Sequence, residues 1–247
     1  MTASVWQAMR TIFLADAHIN HSSDPQSRGL LHFIQQLHGE VDCLCILGDL
    51  FDFRVGLPQM CFPEHEPILD ALSSLSSSGT RILYLEGNHD FHLGAAFAKR
   101  IGAELYVKPV TLDLGGRRVH LCHGDLINQA DLGYRFMYRL FRSSLVLSGA
   151  SLVPNRLIHA VRRRLQRTSH GQYETKIRRW NYPDVIRGYA EQIVKTGCSL
   201  TVVGHFHQSQ SEWVHGMQLI VLGDWLTTGQ YAELDDSGVH LRRFEGM

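Results

Sequence analysis

A chain of 247 residues and 28.0 kDa is long enough to bury a large core. Its 24 basic residues balance 24 acidic ones, giving a formal net charge of zero and a pI near 7.3, so nothing global argues for nucleic acid. Any electrostatic role must come from a local cluster. The opening MTASVWQAMRTIFLADAH lacks the apolar core of a secretion signal, and no apolar run reaches the roughly 18 residues that span a bilayer, so the expectation is a cytoplasmic protein touching membranes only peripherally. Cys43, Cys45, Cys61, Cys122 and Cys198 form an odd set, several inside apolar runs, and read as reduced thiols packed as small hydrophobes.

In chain order, TIFLAD (11–16) reads as a strand and GLLHFIQQLHG as a helix, with Leu30, Leu31, Phe33, Ile34 and Leu37 apolar. CLCILGD (43–49) is the next strand, a Pro-opened stretch near 67–76 the next helix, and RILYLEG (81–87) the third strand. Strands alternating with helices imply parallel pairing through crossovers. RVHLCH (118–123), SLTVVG (199–204) and MQLIVLGD (217–224) follow, and turns at Gly115-Gly116 and at 235–238 predict hairpins. The pattern is α/β, with either one mixed sheet or two stacked sheets flanked by helices.

Residues 128–182 interrupt this pattern, as an insertion within a single domain spanning 1–247. Leu132, Phe136 and Leu140 recur at helical spacing; Ser148-Gly149 reads as a break; Leu157, Val161 and Leu165 behind Pro154 form a second helical stripe. Eleven basic residues between Arg135 and Arg179 face only Asp131 and Glu174. Such helices either line an acyl-chain groove and meet anionic lipid headgroups, or pack as a small subdomain with solvated arginines.

Each strand-like run ends in polar residues of one kind: Asp16 and His18, Asp49, Asn88 with His89 and Asp90, His123, and His205 with His207. Ligands of open α/β sheets bind beyond the carboxyl ends of strands, so these stretches can converge. Oxygen and nitrogen donors without thiolate suit Mn²⁺, Fe or Zn²⁺, and one carboxylate, most simply Asp49, can bridge two ions about 4 Å apart. Two divalent cations outweigh two carboxylates and a hydroxide, leaving a positive cleft suited to an anionic phosphoester.

The series DAH (16–18), GDLFD (48–52), GNHD (87–90), HGD (123–125) and GHFH (204–207) resembles the calcineurin-type metallophosphoesterases, over about residues 10–244. That resemblance implies a four-layer α/β/β/α sandwich with the basic segment as a helical lid. It implies one metal on Asp16, His18, Asp49 and His207, and a second on Asp49, Asn88, His123 and His205. His89 would donate to the leaving-group oxygen, oriented by Asp90. GDLFDF, HGDLINQADLGYR and the basic insertion are similar to the UDP-2,3-diacylglucosamine diphosphatases of lipid A synthesis. This second likeness implies Mn²⁺, a nucleotide-linked glycolipid substrate cleaved at the α-phosphorus, peripheral contact with the inner membrane face, no nucleic acid partner, and substrate contacts from Asp131, Tyr134, Arg135, Ser169 and Lys176. Two positions depart from that group: His89 stands where its best-known members have Arg, and Arg54 where an aromatic is common. A phosphodiesterase or phosphatase with another substrate therefore remains the alternative.

Overall fold

The computed structural model describes residues 9–57, 60–150, 153 and 179–246. The first sheet is built by β1 (Thr11–Leu14), β2 (Cys43–Ile46), β4 (Arg81–Leu85) and β6 (Ala103–Tyr106), all parallel, with β12 (Gln230–Asp235) and β13 (Gly238–Arg243) added antiparallel beside β1. Helices α1 (Pro25–Gln36), α2 (Glu66–Ser77) and α3 (Gly94–Ile101) make the crossovers. The second sheet runs β10 (Gln210–Val214), β11 (Met217–Val221), β9 (Leu200–Val203), β8 (Arg117–Cys122), β7 (Val110–Leu114), with hairpins at both edges and parallel pairing at its centre. A short parallel pair, β3 (Arg54–Val55) and β5 (Asp90–Phe91), lies apart from both sheets.

Side chains alternate along each central strand, and both faces are covered. Ile12, Leu14, Leu44, Ile46, Ile82 and Tyr84 point to α1, α2 and α3. Phe13, Cys43, Cys45 and Leu83 point the other way and meet Leu121, Leu200, Val202 and Ile220 of the second sheet. Cys43 and Cys45 share that face as expected, with Sγ atoms 3.7 Å apart and both thiols free. On the far side of the second sheet, Ile186 and Ala190 of α6 (Tyr182–Val194) pack against Val203, Met217, Leu219 and Val221. The layers are therefore helix, sheet, sheet, helix, which resolves the choice between one mixed sheet and two stacked ones.

After β8 come α4 (Leu132–Phe141) and α5 (Ser144–Ala150). The break between them falls earlier than expected: α5 runs through Ser148-Gly149, and the chain turns at Arg142-Ser143. Ser143 Oγ accepts the Val146 N–H at 3.3 Å, a local cap that starts the new helix. The stripe of Leu157, Val161 and Leu165 lies outside the described residues, as do Ser169 and Lys176. Among the described residues no helix is long and apolar enough to cross a membrane.

Candidate metal centre

The registers Leu14 with Ile46, Ile46 with Tyr84, and Cys122 with Val203 with Val221 bring the carboxyl ends of both sheets to one level. The loops beyond stay paired: Asp16 N–H donates to Gly48 O at 3.2 Å, His18 N–H to Asp49 O at 2.9 Å, and Ile19 N–H to Leu50 O at 2.9 Å. Seven non-glycine residues among those described have positive φ, and five of them are Asp16, His18, Asp49, His205 and His207. Left-handed backbone is costly for such residues and persists where surrounding contacts enforce it, commonly at functional sites.

Six of the seven expected ligands, together with His89, which was expected as a proton donor, meet in three overlapping groups: Asp16, His18 and His207; His18, Asp49 and His89; and Asp49, His123 and His205. Within each group the ligand atoms lie within 4.8 Å of one another. Asp49 belongs to two groups, its Oδ2 3.5 Å from His123 Nε2 and 4.0 Å from His18 Nε2. Asp16 Oδ1 lies 3.5 Å from His207 Nε2, and its Oδ2 accepts the His205 N–H at 2.7 Å. His123 Nδ1 is 2.7 Å from Leu47 O and donates to it, which turns Nε2 toward Asn88 Oδ1 at 3.0 Å and toward Asp49.

The electrostatics agree with a cation site. Burial alone would raise the Asp49 carboxyl, but His123, His89 and His18 hold it well below the usual carboxylate range. Burial is likewise outweighed at Asp16, where the bond and charge of His207 lower it. Burial pushes His18 down to about 4 despite Asp49, and burial together with His123 pushes His205 down to about 3. The result is two ionised acids beside two neutral imidazoles, His18 and His205, while against burial Asp49 pushes His123 up and Asp16 pushes His207 up, protons that metal ligation would displace. Asp16 Oδ1 is buried and faces the imidazoles of His207 and His18, whose Nε2 atoms lie 3.5 and 3.9 Å away. These donors fit divalent metal ions.

His89 and Asp90 separate. His89 Nδ1 pairs with Asp52, 2.7 Å from its carbonyl oxygen and 3.6 Å from Oδ1; Asp49 and Asp52 outweigh burial and push the imidazole up to about 9. Asp90 does not orient His89. It is buried and accepts N–H groups of Asp49 (2.9 Å), Leu50 (2.7 Å), Phe51 (3.4 Å) and Gly87 (2.9 Å), together with the Tyr84 hydroxyl at 2.6 Å. Asp90 thus ties the Asp49 loop to the Gly87 loop.

Of the expected substrate contacts, Asp131 caps α4, its Oδ1 accepting the Tyr134 N–H at 3.0 Å, and Arg135 is half-buried one turn on. Tyr134 reaches the centre: its hydroxyl donates to Asp125 at 2.7 Å and its ring centroid lies 6.4 Å from that of His205. Trp225 opens α7 (Trp225–Thr228), and its side chain packs fully buried against Phe33 and Phe244. Arg54 is buried between the Phe51 and Phe97 rings, bonded to His65. Asp52 and Asp224 were not singled out from sequence; Asp224 caps α7 and places Oδ2 3.9 Å from His207 Nδ1.

A four-layer sandwich whose strand ends gather carboxylates and imidazoles around one hollow defines a metal-dependent phosphoesterase. The chain belongs to the calcineurin-like phosphoesterase family, whose profile matches residues 9–209. It is 33% identical over 231 residues to a UDP-2,3-diacylglucosamine hydrolase of Aeromonas salmonicida, covering 90% of this chain and 88% of that protein. Proteins of the same name in Pseudomonas savastanoi and Pseudomonas putida are 32% and 31% identical, each aligned over 95% of this chain and over 95% and 98% of their own lengths. Divalent metal is thus the cofactor class of this chain.

Proposed function

We propose that this protein hydrolyses the pyrophosphate of UDP-2,3-diacylglucosamine at the α-phosphorus, yielding UMP and 2,3-diacylglucosamine 1-phosphate, with two divalent ions, Mn²⁺ by preference. The observation that carries this reading is near full-length similarity to hydrolases of that name, supported by the close grouping of aspartate and histidine donors at the strand ends. Asp16, His18, Asp49 and His207 would hold one ion, and Asp49, Asn88, His123 and His205 the other. When bound, such ions neutralise phosphoryl oxygens and lower the pKa of a water toward neutrality. The chain's own contribution is orientation and proton handling. Asp52 fixes Nδ1 of His89 and leaves Nε2 to hydrogen-bond the leaving-group oxygen. Asp90 holds the two loops that present Asp49 and His89.

In this reading the basic insertion of residues 128–182, of which 151, 152 and 154–178 lie outside the described residues, serves as a lid within a single domain over 1–247. Leu132, Phe136, Leu140 and Leu145 expose apolar side chains beside Arg135 and Arg139, which suits acyl chains and a peripheral anionic membrane surface on the cytoplasmic side. Tyr134, Arg135 and Asp131 would contact the substrate, as would Ser169 and Lys176, which lie outside the described residues.

Mass-spectrometric product analysis of the Mn²⁺-loaded protein tests the substrate. UMP and the acylated sugar 1-phosphate are expected from UDP-2,3-diacylglucosamine, with much slower cleavage of its deacylated form and of soluble phosphodiesters. Equal rates on all three would remove the lipid from the reading and favour a general phosphodiesterase. Salt-sensitive cosedimentation with anionic vesicles checks the membrane contact. For His89→Ala, metal content is expected to persist while kcat falls roughly 10²- to 10⁴-fold. Unchanged kcat would take His89 out of the reaction.

A further inference from the structure

Glu86 directly follows β4, and its side chain is 1% exposed, a place where an unpaired carboxylate would be strongly disfavoured. It has two partners. The Leu93 N–H donates to Oε1 at 2.8 Å, and Arg142 Nη1 donates to Oε2 at 2.6 Å. The second amine of the same guanidinium, Nη2, donates to the carbonyl oxygen of Gly87 at 2.9 Å. Arg142 stands where α4 gives way to α5, with its guanidinium 4.6 Å from the Tyr138 ring centre and 5.2 Å from that of Phe91. One planar fork therefore grips a buried carboxylate and the peptide that leads into Asn88 and His89.

We propose that Arg142 is a positioning residue for the hydrolysis: it ties the seat of α4 and α5 to the Gly87–Asp90 loop and fixes the peptide plane from which Asn88 and His89 project. The proposal rests on the roles given to those two residues above. From the opposite side, the loop is held by Asp49 Oδ1 on the His89 N–H at 2.8 Å and by Asp90 Oδ1 on the Gly87 N–H at 2.9 Å. Arg142 completes the grip. Neutralising Glu86 would need one charged contact only, and a lysine could supply it; holding the Gly87 carbonyl at the same time needs two donors in fixed geometry. The bend at Arg142-Ser143 follows from the same contacts, since the inward side chain and the Ser143 cap both fall where the helix stops.

The test compares Arg142→Met, Arg142→Lys and the double variant Arg142→Met/Glu86→Met. Replacing both members of a buried pair by apolar residues of similar volume generally preserves the fold, so the double variant separates positioning from charge balance. The expected result is a kcat reduced roughly 10- to 10²-fold in both Met variants with KM nearly unchanged, and a smaller loss in Arg142→Lys. Amide hydrogen exchange at residues 88–90 should be faster in both Met variants. Exchange is read on the metal-free protein without substrate, so a wrong substrate assignment would leave that result standing. Wild-type turnover and wild-type amide protection in the double variant would overturn the proposal, because Arg142 would then serve only to neutralise Glu86.

Discussion

Asp49→Ala is expected to abolish metal retention and turnover together. Asp49 is the one carboxylate common to two of the three donor groups, and its side chain also accepts the His89 N–H. Removing a mere support of a metal ligand typically costs 10- to 100-fold in affinity or activity, so loss of the shared ligand should exceed roughly 10²-fold in both. The loop itself should survive, because its Asp49, Leu50 and Phe51 N–H groups are held by Asp90 and not by the deleted carboxylate. Thermal unfolding gives a second readout. At a metal concentration 100 times Kd the wild-type protein should gain about 2.7 kcal/mol, whereas the variant should show no metal-dependent rise in Tm. Wild-type metal content in purified Asp49→Ala would sink the shared-ligand assignment.

The site was legible because its residues sit at strand ends, where position along the chain converts directly into position in space. TIFLAD, CLCILGD and RVHLCH each deliver a donor one to three residues past the last strand residue, and the parallel register does the rest. The partner of His89 was not legible in the same way. Neighbours on an extended chain point to opposite sides, so Asp90, which opens β5, turns into the core while His89 faces the hollow. Its actual partner, Asp52, stood inside the GDLFD stretch with no local sign of where it would point.

The fold divides similarly. Strands covered on both faces read as continuous apolar runs, so CLCI and LTVV announce burial without saying which sheet they join. Only the contacts of Cys43 and Leu83 with Leu121 and Val202 decide that there are two sheets. The junction of α4 and α5 was misplaced for a related reason: Ser and Gly are weak helix breakers beside a long-range hold such as Arg142 on Glu86, 56 positions away in sequence.

Gly87→Ala is expected to cut turnover by roughly 10²-fold through geometry alone. A Cβ at Gly87 would lie 2.1 Å from Asp49 Oδ1 and 2.6 Å from the Asp49 backbone nitrogen, far inside contact distance. The residue is not among the glycines with positive φ, so the penalty is steric and has only two outlets. Either the Asp49 carboxylate swings off the His89 N–H, or the loop carrying Asn88 and His89 backs away. Both outlets displace donors while leaving every chemical group in place, so metal affinity should fall with kcat. Gly188→Ala is the control: it lies within α6 with open space around the added methyl, and it should keep full activity with stability unchanged or raised by up to about 1 kcal/mol. Wild-type kinetics in Gly87→Ala would mean that Asp49 tolerates displacement, and the close packing of these two loops would lose its place in the mechanism.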